Sequence, residues 1–120
     1  MEVPGDDRWV SAALLANRRV GRAWLALCGA LALHVADEAA TGFLSVYNPT
    51  ARALRSAWPF LPVPVFDFAV WLTGLCIAVS GLLALSVFVF QGRGWTRPAA
   101  YGLAVFMLLN ALGHTAVTIF

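Results

Sequence analysis

Three unbroken apolar blocks, residues 23–47, 65–90 and 98–120, constrain this chain more than any other feature. A helix rises about 1.5 Å per residue, so roughly 20 residues cross about 30 Å of hydrocarbon, and each block is long enough. Runs of this length without polar alternation predict helices rather than barrel strands. Of the 120 residues, 61% are hydrophobic and only 12% charged, and the mean hydropathy of +0.79 excludes an ordinary soluble domain. The predicted fold class is all-α: a single membrane domain over residues 1–120, a multi-pass helical bundle with three transmembrane helices and an N-terminal interfacial amphipathic helix.

Punctuation supports the three spans. Arg22 and Trp24 flank the first, Pro62 and Pro64 precede the second with Asp67 as a capping residue in its first turn, and Pro98 stands as first residue of the third. Before the first span, Trp9, Val10, Ala13, Leu14 and Val20 recur at helical spacing among Arg8, Arg18, Arg19 and Arg22, predicting a helix over 7–22 along the membrane surface. Residues 48–64 read as an extracytoplasmic, proline-bounded connector with one short helix and Trp58 at the interface. Arg8, Arg18, Arg19, Arg22, Arg93 and Arg97 fall on one side of the spans and Arg52 and Arg55 on the other, which predicts a cytoplasmic N-terminus. The opening MEVPGDDRWV lacks the basic start and cleavage site of a secretory signal and reads as retained.

Other features exclude functions. A net charge of +2 gives no case for nucleic acid. Cys28 and Cys76 lie inside apolar blocks and read as small buried hydrophobes, not as a disulfide or zinc motif. All basic residues are arginine and alanine is abundant, a composition typical of GC-rich bacteria, so the expected location is a bacterial plasma membrane. In span two, Gly74, Ala78 and Gly81 form a small-residue stripe suited to close helix approach.

The chemistry lies in LALHVADEAATG, residues 31–42. Each ionisable residue at the bilayer centre costs about 2.5–3.5 kcal/mol, so Asp37 and Glu38 need compensation. At about 100° per residue, His34, Asp37, Glu38, Thr41 and Ser45 fall within an arc of roughly 100°, a polar stripe facing protein, with Leu31, Leu33 and Phe43 outside it. Span three carries Asn110 and His114 one helical turn apart. Counted from the arginines at the span starts, Glu38 and His114 both lie about 24–25 Å along helices that run the same way, so the two pairs come level.

Three readings follow. In the first, His34, Glu38 and His114 bind a divalent metal, zinc or iron, with Asp37 and Asn110 completing or orienting the set and one position open for substrate. In the second, the same histidines and carboxylate act as acid and base without metal on a lipid-like molecule. In the third, the cluster serves helix packing or proton relay in a proton-coupled transporter or small assembly subunit. For an enzyme, His34, Glu38 and His114 are the catalytic candidates, in a membrane hydrolase, oxidoreductase or acid-base lipid-modifying enzyme.

His34-Val35-Ala36-Asp37-Glu38 with the Thr41-Gly42-Phe43 turn, and the later Asn110-Ala111-Leu112-Gly113-His114, resemble the HXXEE family of bacterial integral membrane proteins of uncharacterised function. The resemblance covers residues 31–120. Asp37 stands where that family has its first glutamate, one methylene shorter, which favours Glu38 as the direct ligand. The family continues past the histidine helix with a further span, so either a closing helix is missing, a partner subunit supplies it, or the chain is a shortened member. Three helices leave the polar stripe of span one with few shielding neighbours, and a homodimer or a partner membrane subunit is the expectation.

Overall fold

The computed structural model describes residues 6–119; the opening residues 1–5 and the last residue of the predicted third span lie outside them. Among the described residues the fold is all helical, with α1 (Asp6–Thr41), α2 (Phe43–Ala57), α3 (Phe68–Phe90) and α4 (Thr96–Ile119) and no strand. Stretches of α1, α3 and α4 are long and apolar enough to cross a membrane, as the three blocks predicted.

The first boundary differs from the sequence expectation. The predicted interfacial helix and the first span form one continuous helix of 36 residues. No proline interrupts residues 6–41, and alanine, leucine and arginine all favour helix, so nothing stops the chain near residue 22. At about 1.5 Å per residue α1 reaches about 54 Å, more than the hydrocarbon thickness of about 30 Å, so part of it projects outside. It ends at Thr41 rather than residue 47, because Gly42 takes the left-handed conformation, φ 73° and ψ 38°. Glycine adopts that geometry without the Cβ penalty other residues carry.

The short helix predicted for the connector is α2, and it starts inside the block read as span one. Pro49 lies within it. The proline lacks the N–H that would bond to the Ser45 carbonyl, a defect that is costly in a helix interior. A side-chain clamp ties this turn to the segment ahead of α3. The Asn48 amide donates to the Phe66 carbonyl at 2.8 Å, while its oxygen accepts the Phe66 N–H at 3.1 Å. The Tyr47 hydroxyl donates to the Pro64 carbonyl at 3.0 Å. The Asp67 carboxylate then caps α3 as expected, accepting the Ala69 N–H at 3.0 Å. At the last span, α4 begins at Thr96, before the predicted Pro98. Pro98 still falls in the first turn, where its missing N–H has no helical acceptor to lose.

The helices divide into two compact units. One comprises the chain up to Gly29 and from Leu82 onward, and its core is Trp24, Cys28 and Val89. The Trp24 indole N–H donates to the Leu82 carbonyl at 2.8 Å. Gly21 faces the Phe90 ring, and the left-handed Gly92 faces the Asn17 side chain; neither position has room for a Cβ. The other unit, Ala30–Gly81, buries Leu31, Val35, Ala51 and Trp71 and stacks Phe43 on Tyr47 and Trp71, with centroids 5.4 and 5.9 Å apart.

Two further expectations are corrected. Gly74, Ala78 and Gly81 are exposed, and nothing lies within 4 Å of a Cβ built on either glycine, so this stripe brings no helix close among the described residues. Both cysteines are free as expected, but only Cys28 is buried; Cys76 is exposed on an apolar helix.

The Asn48 clamp yields a test. Two hydrogen bonds of about 0.5–1.5 kcal/mol each disappear in Asn48→Ala, and Phe66 loses both backbone partners. The expected result is a lower thermal midpoint in detergent, and Asn48→Asp should not restore it because the donor to the Phe66 carbonyl is still missing. A wild-type midpoint for Asn48→Ala would show that the clamp does not support the fold.

Candidate metal centre

Buried residues along α1 follow steps of four and three: Trp24, Cys28, Leu31, Val35 and then Glu38. Such steps keep successive side chains on one helical face. Glu38 therefore continues an otherwise apolar seam and is only 7% exposed. His34 lies beside that seam and is half-buried. Residues four apart on a helix are neighbours, and the His34 Nε2 atom lies 3.1 Å from the Glu38 Oε1 atom.

The predicted stripe of five polar residues is divided. Asp37, Thr41 and Ser45 are exposed, whereas His34 and Glu38 turn toward protein. An arc of roughly 100° is wider than the seam, and Asp37 is rotated by about 100° from Glu38. The outward hydroxyls satisfy themselves locally: Thr41 Oγ1 donates to the Asp37 carbonyl at 2.8 Å and Ser45 Oγ to the Gly42 carbonyl at 2.7 Å.

On α4, His114 and Asn110 are both half-buried, one turn apart as read from the sequence. His34, Glu38 and His114 each present one ligand atom, and these atoms all lie within 4.8 Å of one another. Asp37 is not part of this group. All three members were candidates from the sequence alone. The seam that directs Glu38 inward was overlooked, although its spacing is legible in the positions of Trp24, Cys28, Leu31 and Val35.

The donor set fits a divalent ion of borderline softness: two imidazole nitrogens and one carboxylate oxygen, as zinc and iron(II) accept. Zinc holds such donors at about 2.0–2.2 Å, so any two of them lie at most about 4.4 Å apart around it. In the tetrahedral arrangement that zinc prefers, the donors lie about 3.3–3.6 Å apart, so the widest separation allowed here closes by up to about 1.5 Å on binding. The 3.1 Å pair already suits two ligands of one ion, and it equally suits a hydrogen bond between imidazole and carboxylate.

Comparisons with protein-family models, with curated proteins and with solved structures return no match to this chain.

If the three side chains act as one group, their losses are coupled. Removing one partner of a buried charged pair costs about 3–5 kcal/mol because the other is left uncompensated. Glu38→Gln combined with His114→Ala should then destabilise the chain by less than the sum of the two single changes, with a coupling of about 1 kcal/mol or more. Thermal unfolding in detergent reads this directly. Strictly additive losses would show that Glu38 and His114 do not act together.

Proposed function

We propose that this chain is a metal-binding integral membrane protein of the HXXEE type, and that His34, Glu38 and His114 form a metal-dependent catalytic centre for a hydrophobic or lipid-like substrate. The observation that carries this reading is the convergence of three ligand atoms of suitable chemistry within 4.8 Å. Two neutral imidazoles and one carboxylate are the protein ligands; three of them leave a coordination position for substrate, as catalytic zinc sites do. A divalent ion bound there supplies Lewis acidity. One carboxylate balances only part of its charge, so the open position favours an anionic or strongly polarised oxygen on the substrate. Asn110, one turn from His114, is the candidate for orienting that histidine.

The His34 and Glu38 pair also supports a second reading, acid-base chemistry or proton relay without metal, because a 3.1 Å separation allows a proton to be shared. Elemental analysis separates the two. Wild-type protein purified in detergent without chelator should carry about one zinc or iron per chain, as three protein ligands imply. The His34→Ala, His114→Ala double variant should carry none, and Asp37→Ala should retain it. A wild type that takes up neither metal on reconstitution would overturn the metal reading and favour the proton reading.

The location we propose is the bacterial plasma membrane with the N-terminus in the cytoplasm, supported by the six arginines on one side of the spans against two on the other. In intact cells an impermeant thiol reagent should label Ser56→Cys and leave Gly94→Cys unlabelled, in a background with Cys28 and Cys76 replaced. The opposite pattern would reverse the orientation.

A further inference from the structure

Two cavities in the unit built from the first part of α1 and the residues after Leu82 play no part in the metal reading, and they share Val20 and Arg97 in their walls. One, of about 210 Å³, is polar: Asn17, Gly92, Arg93, Thr96 and Arg97 line it, and no carboxylate does. The other, of about 320 Å³, is lined by Ala23, Leu27, Ala100, Tyr101 and Ala104, whose small alanines leave an apolar furrow.

The polar cavity is held in shape. Buried Thr96 donates its hydroxyl to the Arg93 carbonyl at 2.6 Å, fixing the turn between α3 and α4. The Arg93 guanidinium carbon lies 5.8 Å from the centroid of the Phe88 ring, a cation–π contact that restricts where its charge can go. Trp95, 47% exposed, and Tyr101, 75% exposed, flank this region. Tryptophan and tyrosine favour the level of the lipid headgroups, which places the arginines there and the alanine furrow on the hydrocarbon side.

We propose that the paired cavities bind one anionic phospholipid, its phosphate held by Arg93, Arg97 and Asn17 and the start of an acyl chain lying along Ala23, Leu27, Ala100 and Ala104. Charge complementarity selects the headgroup: guanidinium forks match phosphate oxygens, and the Asn17 amide adds a donor. Arg97 lines both cavities, so it marks the boundary between headgroup and chain. A free phosphate would use only the polar cavity, whereas a lipid fills both. This site is independent of the metal reading.

The full chain in detergent would be titrated with dioleoylphosphatidylglycerol, dioleoylphosphatidylcholine and glycerol 3-phosphate, with the thermal midpoint and lipid retention by native mass spectrometry as readouts. Phosphatidylglycerol should raise the midpoint and stay bound, with phosphatidylcholine weaker by about tenfold or more, as two basic contacts imply. Glycerol 3-phosphate at the same concentration should have no effect. Arg93→Gln with Arg97→Gln should abolish the preference for phosphatidylglycerol. Ala104→Trp fills the furrow, leaves both arginines in place and should also weaken phosphatidylglycerol, so the test stands even if the arginine variant unfolds. Equal binding of the two lipids, protection by glycerol 3-phosphate as strong as by phosphatidylglycerol, or unchanged phosphatidylglycerol binding in a folded variant would overturn the proposal.

Discussion

In hydrocarbon a buried donor has no water to turn to, and the indole N–H of Trp24 meets that demand through the carbonyl of Leu82. A helix carbonyl has a second lone pair, so it accepts the indole without giving up its own helical bond. This contact fixes the rotation of α1 about its axis. Once Trp24 points into the protein, the steps of four and three carry Cys28, Leu31, Val35 and Glu38 to the same face. The carboxylate thus shares a helical face with the aromatic ring about four turns earlier along the same helix.

The rest of the chain is economical with buried surface, as lipid allows. Apolar helices gain little by exchanging lipid contacts for protein contacts, so side chains such as Leu33 and Ile77 remain exposed without penalty. Cohesion comes from a few specific contacts instead. Within Ala30–Gly81 these are the stacked rings of Phe43, Tyr47 and Trp71 and the clamp of Asn48 on Phe66. In the other unit they are Trp24, the close approach of Phe90 to Gly21, and the left-handed turn at Gly92.

What the sequence revealed follows from which signals are local. Span number, the Asp67 cap and the pairing of His34 with Glu38 depend on residues within one or two turns, and all were legible. The break at Gly42 was half legible: the turn was recognised, yet the apolar run beyond it through Tyr47 suggested that the span continued. Asn48 and Pro49 look like connector residues because each disfavours helix, and only the tie to Phe66 explains their place in α2. The face of α3 that packs was not legible at all. A lipid-facing side is as apolar as a protein-facing one, so the glycine stripe suggested a contact that is not made among the described residues.

The two neighbouring carboxylates of α1 occupy physically different positions, and the difference favours a cation beside Glu38. Asp37 is exposed near the end of the helix, while Glu38 is buried in the last turn, which ends at Thr41. Carbonyl dipoles give the C-terminal turn of a helix about half a negative charge, which raises the cost of a carboxylate there and lowers that of a cation. Burial adds the cost of taking a charge out of water. Both penalties act on Glu38 and both have the same remedy, a positive charge held close to its oxygens. His34, whose Nε2 atom lies 3.1 Å from Glu38 Oε1, and His114 are the groups placed to hold such a charge there. An apolar residue at position 38 would complete the seam of Trp24, Cys28, Leu31 and Val35 without either penalty, so packing alone gives no reason for a glutamate there.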